Sequence, residues 1–338
     1  MRAWVLPQPA LIERAPLELR EVADPVPGPG EIGVDVSVCG ICRTDLHVVE
    51  GELAPHRPSV IPGHQIVGRV SALGAGARRF AKGQRVGIAW LWRACGTCEF
   101  CAASAENLCR APRFTGWDEN GGFAERACVP EDFAYALPDA LEDAAAAPLL
   151  CAGIIGYRAL VRSGIGPGRR LGLYGFGSSA HIALQIARHW GCRVFVVTRE
   201  ASHRALAREL GAEWAGDLAE APPRKLDAAV LFAPVGTLVP VALAALGPGG
   251  TLACAGIHMT QIPALDYAAH LFEERTLTSV TANTRADGRA LLTLAAQIPL
   301  RPRTTEFAFA DANAALAKLA GGLIAGSAVL RVRAPDAH

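Results

Sequence analysis

The sequence predicts an α/β protein: a doubly wound parallel sheet that follows a mostly antiparallel β region. Three observations carry this. After about residue 151, short apolar runs alternate with helical stretches at the spacing of right-handed βαβ units. A glycine-rich turn, Gly175-Phe176-Gly177-Ser178-Ser179-Ala180, separates the first of those runs from the helical stretch behind it. The first 150 residues instead hold short β-type runs divided by Gly and Pro turn signals.

In chain order, Ile32–Val38, Gln65–Ala72 and Arg85–Ile88 are the strands of the first region, and Pro27-Gly28-Pro29-Gly30 and Gly74-Ala75-Gly76 mark turns. The strand Leu171–Tyr174 leads through the glycine turn into a helix over Ala180–Trp190, closed by Gly191, and then into the strand Arg193–Val197. Ser202–Leu210 is a helix ending at Gly211, and Asp227–Phe232 is a strand. Leu238–Leu246 is a helix stopped by Gly247-Pro248-Gly249-Gly250, with strands over Thr251–Ala255 and Leu277–Thr281 behind it. A last helix and strand, Ala312–Leu319 and Ser327–Val332, are expected to return to the first domain. There is no internal repeat.

A chain of 338 residues is long for one domain and natural for two. With 51% hydrophobic and 19% charged residues it has the composition of a globular protein with a sizeable core. A net charge of +1 gives no basis for a nucleic acid or an acidic surface as partner. No apolar run approaches the roughly 18 to 20 residues that span a bilayer. The start, MRAWVLPQPALIER, lacks a basic region followed by an apolar core, so no signal peptide is expected and the cytoplasm is the expected compartment.

A reducing compartment does not favour disulfides, so the ten cysteines need another account. Cys128, Cys192 and Cys254 read as small buried apolar residues. Cys95-x2-Cys98-x2-Cys101-x7-Cys109 is different, because it puts four thiols on one compact loop. Four thiolates satisfy tetrahedral zinc with no open position, the pattern of a structural site, against the alternative of unrelated buried cysteines.

Three further segments complete the pattern. They are Cys39-Gly40-Ile41-Cys42-Arg43-Thr44-Asp45-Leu46-His47, Pro62-Gly63-His64-Gln65, and Pro148-Leu149-Leu150-Cys151-Ala152-Gly153. Each alone is weak: Thr44 and His47 read as helix-start and surface residues, and Cys151 as core. In this order around the four-cysteine loop, with Gly83-Gln84-Arg85-Val86-Gly87 before it and Gly121-Gly122-Phe123-Ala124-Glu125 after it, they resemble the zinc-containing medium-chain alcohol dehydrogenases over essentially the whole chain. The resemblance implies a mostly-β, GroES-like catalytic domain split around an inserted Rossmann-type domain, with the active site in the cleft between them. The implied boundaries are 1–151 for the catalytic domain with its structural zinc lobe at about 92–112, 152–283 for the dinucleotide-binding domain, and 284–338 for the return.

The same resemblance implies that Cys42, His64 and Cys151 hold a catalytic zinc, with Cys39 as the competitor of Cys42. Such a zinc lowers the pKa of a bound alcohol, and hydride passes to the nicotinamide. Thr44 is implied to bond the substrate oxygen, His47 to end the proton relay, Asp45 to hold the His64 ring, and Arg43 to meet the cofactor pyrophosphate. Leu53, Trp90 and Leu91 fall at positions that shape the alcohol pocket. One departure is Gln65, which stands where the family usually carries glutamate.

Gly175-x-Gly177-x-x-Ala180, after a strand and before a helix, fits a dinucleotide site better than a merely structural turn. The ribose-reading position some 20 residues on, an aspartate in NAD enzymes, is Arg199, preceded by the neutral Thr198. A guanidinium pairs with a 2′-phosphate, so NADP is favoured; Arg199 standing in solvent beside NAD remains the alternative. A second departure is Gly326-Ser327, where the family often has arginine after glycine. Two zinc ions per chain, an NADP- or NAD-linked alcohol dehydrogenase or aldehyde reductase acting on primary aliphatic or benzylic substrates, and a homodimer or homotetramer are the resulting expectations. The rivals are a polyol or sugar dehydrogenase of the same superfamily, against which the four-cysteine loop counts, and a catalytically silent crystallin-like nucleotide binder.

Overall fold

The computed structural model describes residues 1–333. The chain forms two compact units, one from Met1–Cys151 and the segment from Ala282 onward, the other from Ala152–Thr281.

The first unit is organised on a seven-stranded sheet. Its path runs Thr304–Ala308, Ser327–Arg331, Glu31–Ile41, Gln65–Leu73, Arg85–Ile88 and Ala134–Ala136, with Arg126–Pro130 also paired to Glu31–Ile41. All its pairings are antiparallel except that of Thr304–Ala308 with Ser327–Arg331. Ile32, Val34 and Val36 alternate along the central strand and pack with Ile66, Ile88 and Phe123 in one core. Each such burial contributes about 1.5–3 kcal/mol. The register sets Gly40 opposite Gln65, at the end of the sheet where Cys42 and His64 lie just beyond their strands.

The second unit carries a six-stranded parallel sheet in the order Trp214–Gly216, Arg193–Val197, Arg170–Tyr174, Leu226–Leu231, Leu246–Cys254, Thr276–Ser279. Numbered within the unit this is 3-2-1-4-5-6, so the strand order reverses at Arg170–Tyr174, whose C-terminal end runs into the glycine turn. Leu171 and Leu173, fully buried, show why this strand reads as a continuous apolar run. No single helix among the described residues is long and apolar enough to cross a membrane.

Some expectations needed adjustment. The helix Leu238–Ala245 ends before Leu246, which already pairs with Leu226 in the strand Leu246–Cys254. Gly247-Pro248-Gly249-Gly250 is therefore a bulge within that strand rather than a stop before it: the register shifts between Leu226 and Ala228, and Gly249 takes φ +68°. Cys192 is buried as expected, but Cys128 and Cys254 are only half-buried. Cys128 sits at an outward position of the alternating strand Arg126–Pro130.

Candidate metal centre and cofactor-binding turn

Cys42 follows the strand Glu31–Ile41 in extended conformation (φ −139°, ψ −177°) and caps the helix Arg43–Glu50. Three residues into that helix, Asp45 takes two bonds with one carboxylate: the Cys42 N–H donates to Oδ2 at 2.8 Å, and His64 Nδ1–H donates to Oδ1 at 2.9 Å. Asp45 and His64 are each 1% exposed, so this bridge is shielded from water. It fixes the imidazole tautomer and turns Nε2 toward the sulfurs, 3.4 Å from Cys42 Sγ. Cys151 Sγ lies 3.9 Å from Cys42 Sγ, and the donor atoms of all three residues fall within 4.8 Å of one another. Cys39, the competitor, is fully buried apart from this group, its sulfur packed where side chains at Gly63 or Gly122 would clash.

The electrostatics fit a cation. Burial opposes a charged ring, but the Asp45 carboxylate and the Cys42 sulfur outweigh it and hold the His64 pKa at about 10. The Cys42 thiol is pushed well above its ordinary value by its hydrogen bond with Cys151, by burial and by the charge of Cys151. The three groups together favour positive charge at their centre, and a divalent ion supplies it while letting both sulfurs ionise and the ring stay neutral. Two sulfurs and one imidazole nitrogen make an open set suited to zinc with a fourth position for an oxygen.

The four sulfurs of Cys95, Cys98, Cys101 and Cys109 likewise lie within 4.8 Å of one another. Backbone N–H groups point at them, from Cys95 and Ala111 to Cys109 (3.2 and 3.4 Å) and from Cys98 to Cys95 (3.4 Å). Hydrogen bonds from the Thr97 and Cys98 backbone bring the Cys95 thiol down to about 6, within reach of thiolate formation at neutral pH. This set is closed.

Around the open centre, Thr44 is buried at the second position of the helix. His47, further along it, pairs through Nδ1 with the Glu52 carboxylate. Trp90 meets the His64 ring edge-on with centroids 4.9 Å apart and stacks on Phe114 and Trp117. Leu91 is a core residue, whereas Leu53 is half-buried and lines a cavity of about 220 Å³ with Trp117 and His56. The Trp117 indole N–H donates to Ala54 O at 3.0 Å, which pins the loop carrying Leu53. Glu52 and Trp117 were not singled out from the sequence. Nothing in local spacing marks an aromatic 64 residues from Leu53.

In the second unit, Gly175 adopts φ +84°, and a Cβ there would come within 2.9 Å of Ala233 N, so both backbone and packing require glycine. Gly177 is different: it caps the helix Ser178–His189, and nothing lies within 4 Å of where its Cβ would stand. Bare backbone facing open space at a helix N-terminus fits the approach of a pyrophosphate. Ala180 is fully buried in that helix. Thr198 is buried, its N–H bonded to Gly216 O at 3.0 Å. Arg204, also unnoticed in the sequence, holds the Thr198 carbonyl at 2.8 Å, the Arg199 carbonyl, and Asp217 at 2.9 Å. The exposed Arg199 side chain makes no hydrogen bond or ion pair with the described residues, and neither does that of Arg43.

A metal centre on a β domain and a glycine turn at the strand-order reversal of a parallel sheet define a metal- and dinucleotide-dependent oxidoreductase. Residues 28–139 match the family model described as alcohol dehydrogenase GroES-like domain, and residues 180–297 that described as zinc-binding dehydrogenase. The chain is 53% identical over 337 residues to a "Probable alcohol dehydrogenase AdhA" of Mycobacterium tuberculosis, covering 98% of this chain and 97% of that one. It is 34% identical over 327 residues to an alcohol dehydrogenase of Geobacillus stearothermophilus, covering 94% and 96%. The solved structure of the cinnamyl alcohol dehydrogenase SbCAD4 from Sorghum bicolor superposes with a TM-score of 0.88 at 28% identity, covering 98% and 97%. The chain belongs to the zinc-containing medium-chain alcohol dehydrogenase family. It is an NAD(P)-dependent alcohol dehydrogenase, a zinc enzyme acting on small-molecule alcohols or aldehydes.

Proposed function

We propose that this enzyme interconverts primary aliphatic or benzylic alcohols and their aldehydes, prefers NADP over NAD, and carries two zinc ions per chain. The unit bearing both cysteine clusters is the catalytic domain, and Ala152–Thr281 is the nicotinamide-binding domain. The observation that carries the reading is the meeting of Cys42, His64 and Cys151 with Asp45 behind the imidazole.

Cys42, His64 and Cys151 would hold a zinc ion, which would supply polarisation of the alcohol oxygen, and the glycine turn would hold a nicotinamide cofactor, which would supply the hydride acceptor. The residues do the rest. Asp45 keeps the His64 ring oriented through Nδ1. The Thr44 hydroxyl takes the alcohol proton and passes it outward toward His47, whose Nδ1 meets the Glu52 carboxylate. Trp90 gives the pocket a flat apolar wall, which suits alkyl and aryl groups better than polyols. Cys95, Cys98, Cys101 and Cys109 hold the second zinc, a structural one. Gly175 and Gly177 receive the pyrophosphate, and Arg199 pairs with the 2′-phosphate. The enzyme works in the cytoplasm as a homodimer or homotetramer of isologous contacts.

Metal analysis with steady-state kinetics over an alcohol and aldehyde panel, using both cofactors, tests this. Two zincs per chain and faster turnover of benzylic or aliphatic primary substrates than of polyols are expected. One zinc in the active enzyme, or a polyol preference, would overturn it.

A further inference from the structure

Arg204 lies on the helix Ala201–Glu209, yet its guanidinium is directed at the turn before that helix. Nη1 donates to the Thr198 carbonyl at 2.8 Å, to the Arg199 carbonyl, and to Asp217 Oδ2 at 2.9 Å, so one nitrogen shares its two N–H groups among three acceptors. The turn is tied from its other sides as well. The Thr198 N–H donates to Gly216 O at 3.0 Å, and the Gly175 N–H donates to Val197 O at 2.9 Å. That last bond joins it to the glycine turn at the strand-order reversal, where a dinucleotide would lie. Asp217 is itself fixed, its Oδ1 accepting from the Leu218 N–H at 2.6 Å. The N-cap residue Glu200 makes no side-chain capping bond, so the carbonyls of Thr198 and Arg199 are held by Arg204. Arg199 is the contrast: its backbone is clamped while its exposed guanidinium has no hydrogen bond or ion pair with the described residues.

We infer that Arg204 is a positioning residue for recognition of the cofactor's 2′-phosphate: it fixes the Thr198–Arg199 backbone, from which the Arg199 guanidinium pairs with that phosphate. This rests on reading Arg199 as the phosphate's partner, and it names what makes the pairing selective. An arginine on a loose turn loses both backbone and side-chain freedom when it pairs with an anion. On a turn already fixed, only the side chain has freedom left to lose. Asp217 pairs with Arg204 and offsets its charge, which leaves Arg199 as the unpaired cation of the turn. Arg204 therefore acts through backbone geometry rather than through a charge of its own on the phosphate.

The test titrates the zinc holoenzyme calorimetrically with adenosine 2′,5′-bisphosphate and with 5′-AMP, which share the ribose and differ in the 2′-phosphate. The ratio of the two affinities isolates that phosphate from the fold and from the rest of the site. Arg204→Met removes the donors at similar length. It should lower the ratio roughly fivefold or more, with 5′-AMP affinity kept within about threefold of the parent. Arg204→Lys keeps the charge on a shorter chain and should lower the ratio in the same direction by less. In an Arg199→Met background, Arg204→Met should change the ratio no further, because the residue acts through Arg199. A ratio unchanged in both Arg204 variants would overturn the inference. So would an equal loss in the two backgrounds, since Arg204 would then meet the phosphate by itself. Failure of the underlying reading shows separately, in the parent enzyme: 5′-AMP would bind there as tightly as the bisphosphate, and Arg199 would have no phosphate to be positioned for.

Discussion

Asp45 links the helix start to the metal centre, because one buried carboxylate bonds both the Cys42 backbone and the His64 ring. Asp45→Asn keeps size but puts an N–H where one acceptor stood. Groups that orient a metal-bound imidazole are typically worth ten- to a hundredfold in affinity, so a comparable loss of zinc from the open centre is expected in a chelator titration, with the four-cysteine zinc retained. Equal affinity in the variant would show the bond to be incidental. Arg199 is the second residue with a measurable consequence. Charged hydrogen bonds contribute roughly 1.5–3 kcal/mol, about ten- to a hundred-and-fiftyfold in binding. NADPH should therefore be preferred in kcat/KM, and Arg199→Asp should move the preference toward NADH. Better kinetics with NADH in the parent would refute this. Arg199 could be picked out from sequence because it sits a fixed distance after a glycine turn. Gln65 could be seen there only as an odd residue, since its buried amide N–H, without a hydrogen-bond partner among the described residues, lies against Gly40, which is remote in the chain and adjacent only through strand register.

At the scale of elements, the parallel sheet is locked at the start of its central strand. Asp227, on Leu226–Leu231, accepts from the Arg170 backbone at 2.7 Å and from its guanidinium at 3.0 and 2.8 Å. The Arg170 hydrogen bond, against some burial, holds the Asp227 carboxyl below its usual value. The unfolded chain then binds the proton more readily. The stabilisation is thus complete above the unfolded value near 3.9 and is lost as pH falls through the lowered one. Asp227→Asn should cost about 1 kcal/mol in urea unfolding near neutral pH, the partial exposure of the pair limiting it, and much less at about pH 3. An equal cost at both would mean that packing, not charge, is at stake. Elements with strong periodicity, such as Leu171–Tyr174 and the helix behind the glycine turn, were legible in the sequence within a residue or two. Trp214–Gly216 and Ala134–Ala136 were not, because three residues are too few to show a period and only pairing with a neighbouring strand makes them strands. The bulge in Leu246–Cys254 was misread because its Gly and Pro carry a turn signal that the pairing of Leu226 with Leu246 overrides.

For the whole molecule, all seven residues grouped as metal donors fall in the first unit, while the glycine turn and Arg199 fall in the second. Ligands should therefore stabilise the chain regionally, and amide hydrogen exchange can read where. The loop from Cys95 to Cys109 is tied near its end by the buried Glu106, which accepts from the Arg285 backbone and guanidinium. Glu99–Ala102 buries no residue, and Cys95, Cys98 and Cys101 are at most half-buried, so that part of the loop depends on its sulfur cage. Cys98→Ser opens that cage. It should speed exchange over the loop and the neighbouring strands Leu91–Arg93 and Arg113–Phe114, and reduce zinc by one ion per chain. NADPH at roughly a hundred times its Kd stabilises the folded state by about 2.7 kcal/mol. Amides whose exchange needs the second unit to open should then slow by about a hundredfold, from Arg170–Tyr174 through Trp214–Gly216, with little change around the cysteine loop. Protection by NADPH that is equal over the cysteine loop and the parallel sheet would mean that the two units open as one body, and that their separate cores do not divide the chain's stability.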